Sequence, residues 1–252
     1  MSNEILFACD LDNTLIHSVK HKRPDDVCVE WIHDKEQGFM TPEAIRLLRQ
    51  LPEKVRLVPV TTRSIAQYSR IQWPEGCRPR HAVTTNGAIL LEDGQPEAAW
   101  QAALAPFTAP LREDMQRLAE ELHATGSFLR CRVVDDSYVF AYCGADLKPW
   151  EVAAQYRDDP RFRVTSSGKK VYFFPENVNK GAAVLRLREM LGGVKLICAG
   201  DSSIDIPMLN RADLAIVPEK NHLQVEGCAE KRACTGEDFS CDVLRLVLAQ
   251  AE

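Results

Sequence analysis

Asp10 and Asp12 stand two residues apart in Phe7-Ala8-Cys9-Asp10-Leu11-Asp12-Asn13-Thr14-Leu15, directly after the apolar run Ile5–Cys9. A buried parallel strand over that run would deliver both acids to the C-terminal edge of an open sheet, where such sheets bind ligands. Ending a strand on paired carboxylates gives up burial and accepts like-charge repulsion. That cost points to a metal ion, a nucleophile or both. On its own the pattern also fits an acidic turn in which Asp12 or Asn13 caps the next segment, so other groups must decide.

Three further polar clusters sit where elements end or begin. Thr61-Thr62-Arg63-Ser64 follows the apolar run Val55–Val60. Lys180 opens the helical pattern Lys180–Leu191. Gly200-Asp201-Ser202-Ser203-Ile204-Asp205 follows Val194–Ala199. In a parallel sheet such ends converge on one edge, however far apart they are in the chain. Together they supply a nucleophile, a second acid, a hydroxyl donor, a cation and a metal-binding carboxylate. Phosphoryl transfer needs that inventory, because its catalysis is mostly positioning and electrostatic stabilisation.

The elements that must position these groups follow from pattern and punctuation. Thr41-Pro42-Glu43 predicts a helix start, with Thr as N-cap and Pro at the first helical position. Ile45, Leu47, Leu48 and Leu51 form its apolar face. A helix is expected from Thr62 through Tyr68 and Ile71, and a third short strand at Ala82–Thr84. Residues 17–40 read as irregular: the basic tract Lys20–Arg23, a strand-like Val27–Ile32, and a turn near Gly38. From Ala88 the character changes to a hairpin at 89–94, a helix over 111–123, strands at 128–134 and 138–142, a helix over 148–156 and a hairpin over 161–174. Helices with antiparallel strands suggest an α+β insert. The α/β pattern then resumes through Gly192-Gly193, a helix C-cap signal, to the strand Leu214–Val217. The predicted architecture is an α/β, doubly wound Rossmann-like core (1–87 and 176–252) interrupted by an α+β domain (88–175), with the cleft between them as the natural ligand site.

Composition narrows the class. The chain has 252 residues, 45% of them hydrophobic, a formal net charge of -5 and nine cysteines. The acidic balance argues against generic nucleic-acid binding. No apolar run approaches the ~20 residues of a membrane span, and Met1–Glu4 lacks the pattern of a signal peptide. An odd cysteine count, mostly within apolar runs, fits a reduced cytoplasmic protein. Cys228, Cys234 and Cys241, with His222 nearby, lack the C-x-x-C spacing of a zinc site.

The four clusters, in order, resemble the haloacid dehalogenase (HAD) superfamily of phosphotransferases. Asp10-Leu11-Asp12-Asn13-Thr14 matches its first motif. Val60-Thr61-Thr62-Arg63 is similar to the second in its T-G-R form, with Thr62 in place of glycine. Asn179-Lys180-Gly181-Ala182 looks like the third and Gly200–Leu209 the fourth. Thr85-Asn86-Gly87-Ala88 resembles the segment before the C2-type cap of the type IIB branch, which holds sugar-phosphate and mannosyl-3-phosphoglycerate phosphatases. Two departures stand out: Ile204 occupies the usual Asn position of the fourth motif, and residues 17–40 form a longer excursion than that branch usually has.

The resemblance implies roles. Asp10 would be the nucleophile and Asp12 the general acid and then base. Thr61 and Lys180 would stabilise the transferring group. Asp10, the backbone carbonyl of Asp12, and Asp201 would hold Mg²⁺, with Asp205 acting indirectly or through water. Thr62, Arg63, Asn86 and Ser202 are candidate substrate contacts. His17 is expected to be structural or at the substrate's edge, and Lys20–Arg23 a solvated loop or a flap over substrate. Arg130, Arg132, Lys169 and Lys170 could read the leaving group. The expected function is a Mg²⁺-dependent phosphatase of a small phosphorylated metabolite such as a sugar phosphate, with no nucleic-acid or membrane partner. A sugar-phosphate phosphomutase and a non-catalytic metabolite-binding protein are the alternatives.

Overall fold

The structure is a computed structural model that describes residues 4–252. The chain begins with strand β1 (Ile5–Cys9). The 17–40 excursion follows as β2 (His17–Ser18), β3 (Val27–Ile32) and β4 (Lys35–Met40). Next come helix α1 (Pro42–Arg49), β5 (Val55–Pro59), the one-turn α2 (Ile65–Tyr68), β6 (His81–Thr84), β7 (Ile89–Glu92) and β8 (Gln95–Pro96). The middle of the chain runs α3 (Ala98–Thr108), α4 (Arg112–Ala124), β9 (Phe128–Val134), β10 (Tyr138–Cys143), α5 (Pro149–Gln155), β11 (Phe162–Ser167) and β12 (Lys170–Pro175). It closes with α6 (Lys180–Met190), β13 (Lys195–Ala199), α7 (Ile206–Leu209), β14 (Leu214–Pro218), β15 (Glu230–Cys234) and α8 (Phe239–Ala249).

The central sheet has the order β15-β14-β13-β1-β5, and every pair in it is parallel. All residues of β1 are buried, as an apolar strand flanked on both sides requires. From β1 the chain moves outward to β5 on one side. The later strands β13, β14 and β15 extend the sheet on the other side. The order therefore reverses beside β1, and the crevice at such a switch point opens at the strand's C-terminal end, where Asp10 begins. Helices pack on the sheet in two pairs, α1 with α8 and α6 with α7. Thr41 caps α1 as expected, its hydroxyl accepting from the Ala44 N–H at 3.2 Å.

The chain divides into two compact units, one running to Pro96 and resuming at Lys180–Glu252, the other Glu97–Asn179. The hairpin expected at the start of the insert stays with the first unit, because β7 pairs antiparallel with β6 over four residues. In the second unit the sheet order is β11-β12-β10-β9. Met115, Leu118 and Leu122 of α4 and Val152 of α5 pack with Val139, Val171 and Phe173 as its core. The alternate residues Tyr138, Tyr172 and Phe174 form an aromatic row, with Tyr138 and Phe174 at 4.9 Å, as period-two alternation dictates. Arg130, Arg132, Lys169 and Lys170 of this unit are all exposed.

Several local expectations are corrected. Residues 17–40 are ordered as a three-stranded sheet, β2-β4-β3. The turn lies at His33-Asp34, both with positive φ (47° and 61°), and not near Gly38. Two left-handed residues are what a tight hairpin with native twist needs. The helix expected from Thr62 is shorter and begins at Ile65. Ser64 forms a full capping box with Gln67, satisfying donors that Thr61 does not. The strand at 81–84 pairs with the parallel array at a single bridge, Val83 to Val60, and belongs to the antiparallel sheet β6-β7-β8.

Candidate active site

Asp10 continues β1, with its N–H donating to the Ala199 carbonyl at 2.9 Å. Gly200 likewise continues β13 toward the Ile216 carbonyl. The two acidic strand ends are thus held side by side by backbone bonds before any side chain takes part. The turn after Asp10 is tight. Thr14, Leu15 and Ile16 all donate to the Leu11 carbonyl, and Asn13 has φ 61°. That left-handed conformation suits Asn or Gly at this position.

Lys180, the first residue of α6, lies beneath these ends. Its Nζ donates to Asp10 Oδ1 at 2.5 Å and to Asp205 Oδ1 at 2.6 Å, and all three residues are buried. A lysine opening a helix is poorly placed against the helix dipole. The two carboxylates supply the opposite field. Burial would pull the Lys180 ammonium down, but Asp10 and Asp205 outweigh it and hold its pKa above the ordinary lysine value.

Asp205 has no exposure and a fully occupied carboxylate. Besides Lys180, its Oδ2 accepts from the Asp201 N–H at 3.2 Å, the Ser202 N–H at 2.9 Å and the Ser202 hydroxyl at 2.8 Å. Asp205 therefore ties the Gly200–Ser202 loop to Lys180, and the Ser202 hydroxyl is directed to it. Gly200 makes this possible, since a Cβ there would lie 2.5 Å from the Asp205 Cβ. Asp201 is half-buried, and its carbonyl accepts from Asn221 Nδ2 at 2.5 Å.

Oxygens of Asp10, Asp201 and Asp205 lie within 4.8 Å of one another. Among the described residues this is the one group of three or more His, Cys, Asp or Glu that could share an ion, so Cys228, Cys234 and Cys241 form none. Three carboxylates against the single Lys180 ammonium leave an excess of two negative charges. Burial, with Asp205 adding to it and Lys180 opposing, holds the Asp10 carboxyl above its ordinary range. Burial and Asp205 push Asp201 up to about 7, against Lys180 and a hydrogen bond from Asn13. Such a set suits a hard divalent cation with oxygen ligands.

Asp12 points elsewhere. Its carboxylate is half exposed and accepts two bonds from Arg63, Nε to Oδ2 at 3.0 Å and Nη2 to Oδ1 at 2.8 Å. Arg63 is thus engaged with Asp12. Its remaining nitrogen, Nη1, lies 2.9 Å from Glu30 Oε2. Burial opposes the charge on Arg63, but Asp12 and Glu30 together raise its pKa above the ordinary value. Thr61 is fully buried, and its Oγ1 accepts from the Arg63 N–H at 3.1 Å, which leaves its own proton free to donate. The Thr61 carbonyl accepts from the Asn86 N–H at 2.9 Å. Thr85 and Asn86 both have positive φ (54° and 57°). Thr62 is half-buried beside them.

A family model for haloacid dehalogenase-like hydrolases matches residues 134–229. A search of curated proteins finds no match. Among solved structures, the sucrose-phosphatase of a Synechocystis species, with sucrose and phosphate bound, is 16% identical, with TM-score 0.68 over 99% of this chain and 98% of that one. A Thermoplasma acidophilum protein is 13% identical, with TM-score 0.65 over 99% of both chains. The C-terminal domain of the Candida albicans trehalose-6-phosphate phosphatase is 15% identical, with TM-score 0.64 over 99% and 92%. In fold the chain is haloacid dehalogenase-like, and residues 134–229 match the model of that family.

Seen as a haloacid dehalogenase-like site, the four motifs meet at one edge of the sheet, and the Glu97–Asn179 unit stands in the chain position of a C2-type cap. Ile204 is buried and apolar, and the polar partners of Asp205 come from Asp201, Ser202 and Lys180. His17 is held from two sides: its Nε2 lies 2.6 Å from Asp26, and its ring stacks on Phe39. The basic tract is tethered, with Lys22 on Glu36 and Arg23 on Asp238 and the Glu237 carbonyl. A cavity of about 460 Å³ opens beside Asp201, lined in part by Asn13, Thr14, His17, Arg23 and Asn221.

The residues that pattern reading missed are Glu30, Arg70 and Asn221. Glu30 did leave a signal, since a carboxylate inside the apolar run Val27–Ile32 needs a partner if that run is buried.

Proposed function

We propose that this chain is a Mg²⁺-dependent phosphatase of a small phosphorylated sugar or similar phosphomonoester. The observation that carries it is Lys180 bridging Asp10 and Asp205 beside Asp201, at the switch point of the sheet. The sugar-phosphate phosphatases of the same fold support the substrate class. Nine cysteines, none in a disulfide, support a reducing compartment such as the cytoplasm.

In this reading an Asp10 carboxylate oxygen attacks phosphorus. The ester P–O bond breaks, and protonated Asp12 gives its proton to the leaving alkoxide. Asp12, now a carboxylate, takes a proton from water as the water oxygen attacks phosphorus. The P–O bond to Asp10 breaks, and inorganic phosphate leaves. Lys180 and the Thr61 hydroxyl offset charge on the transferring oxygens. Asp10, Asp201 and the Asp12 carbonyl would hold Mg²⁺, which supplies charge neutralisation for the approach of one anion to another.

The test is phosphate release from a panel of sugar phosphates and polyol phosphates, with and without Mg²⁺. Release that needs the cation is expected. No turnover of any ester would sink the proposal.

The charge excess gives a second test that needs no substrate. Between the ordinary aspartate value of 3.8 and about 7, folded Asp201 keeps a proton that the unfolded chain has released. Stability without cation therefore falls as pH rises through that window. Added Mg²⁺ should raise the melting temperature clearly at pH 8 and much less at pH 5. Equal shifts at both pH values would show that these carboxylates are not what the cation meets.

A further inference from the structure

The excursion between the first motif and α1 places a buried carboxylate where the catalytic chemistry gives it no task. Glu30, in the middle of β3, is 4% exposed. Its Oε1 accepts from Arg70 Nε at 3.0 Å and pairs with Arg70 Nη2 at 2.9 Å, while its Oε2 faces Arg63 Nη1 at 2.9 Å. Arg63 in turn grips both oxygens of Asp12. The four side chains form one alternating line, Arg70–Glu30–Arg63–Asp12.

The backbone is shaped to this line. The β3–β4 register shifts on either side of Glu30, and bulges of this kind re-aim side chains beside functional sites. Glu30 faces Gly38 across the ladder, where an added Cβ would lie 3.2 Å from both Glu30 Cβ and Oε2. The excursion is also pinned to the segment after α2, through a Glu30–Ile71 bridge and the Gln72 N–H donating to the Val29 carbonyl at 2.8 Å. Burying a carboxylate between two arginines is costly unless the pairing is complete. A loop needed only to cover apolar surface has no use for it.

We infer that Glu30 is a positioning residue for Asp12: it holds the Arg63 guanidinium in the plane and direction that present two N–H groups to the Asp12 carboxylate. This rests on Asp12 being the proton donor of the proposed phosphatase. Asp12 is half exposed on a turn, and the line behind it supplies two directed bonds to its carboxylate. Bidentate pairing fixes orientation as well as distance, and a displaced general acid loses most of its effect.

The experiment compares two aryl phosphates. 2,4-Dinitrophenyl phosphate has a leaving group that departs without a proton, and phenyl phosphate has one that needs it. In Glu30→Ala, kcat/KM for phenyl phosphate should fall about 10- to 100-fold, mainly through kcat, while that for the dinitrophenyl ester should change less than about threefold. Glu30→Gln, which keeps the shape, should fall between. Equal losses on both esters, or no loss on either, would overturn the proposal. A crystal structure of Glu30→Ala adds a readout free of activity, and Arg63 still holding both oxygens of Asp12 would overturn it too. Should the wild type hydrolyse neither ester, the phosphatase reading is decided by the sugar-phosphate panel, and the crystal structure alone decides the role of Glu30. If Glu30→Ala does not fold, Glu30→Gln carries both measurements.

Discussion

Replacing Asp10 with Asn lowers turnover by about 10⁴-fold or more, yet leaves a protein that melts no lower than the wild type in cation-free buffer. The two halves of this expectation have separate causes. In the proposed mechanism a carboxylate oxygen of Asp10 attacks phosphorus, and Asn has none to offer, so the chemistry is lost. It also removes one of three carboxylates clustered around a single ammonium, which relieves repulsion in a buried place. Steady-state rates on an ester that the wild type hydrolyses, together with a thermal melt, check both halves. A rate only tenfold lower would remove Asp10 as nucleophile. A clearly lower melting temperature would show that the cluster has no charge excess to relieve.

Replacing Lys180 with Met is expected to be the most damaging single change to the fold. Lys180 is 1% exposed, Asp205 has no exposure, and Asp10 is 6% exposed. Removing the cation leaves two buried carboxylates facing each other without compensation, and breaking a buried pair in this way costs roughly 3–5 kcal/mol. The urea midpoint should fall accordingly, and activity should be lost with it. The same physics predicts a partial rescue. Lys180→Met combined with Asp10→Asn should be less destabilised than Lys180→Met alone, because one orphaned charge has gone. Strictly additive losses would mean that the two groups do not interact as their 2.5 Å separation implies.

How much of this was legible in the sequence depended on whether the signal was local. The acidic strand end at Asp10, the capped start of α1 at Thr41 and the glycine before Asp201 all follow from neighbouring residues, and the structure shows each of those local features. The parallel core was readable because strands buried on both faces are continuously apolar. Helix α3 was not, because its apolar residues do not fall on one face and Pro106 lies inside it. The hairpin β7-β8 was readable, but its pairing with β6 was not, since the strand at 81–84 looks like any short core strand until its partner is known. Arg63 illustrates the limit best. Its place in the second motif marked it as a substrate contact, while its actual engagement with Asp12 and Glu30 depends on strands brought together from separate parts of the chain.

The bond between Asp10 and Lys180 joins positions 170 residues apart, and the whole Glu97–Asn179 unit lies between them in the chain. As the polypeptide leaves the ribosome, β1 finds β5 early but must wait for β13 to cover its other edge. During that interval Asp10 has no counter-charge, and the loop to be closed contains a unit able to bury its own core. Closing so long a loop is slow, and it is favoured if the intervening segment has already compacted. The Asp10–Lys180–Asp205 cluster is therefore among the last parts of the molecule to assemble during synthesis, and a chain stalled before α6 holds Asp10 without its counter-charge.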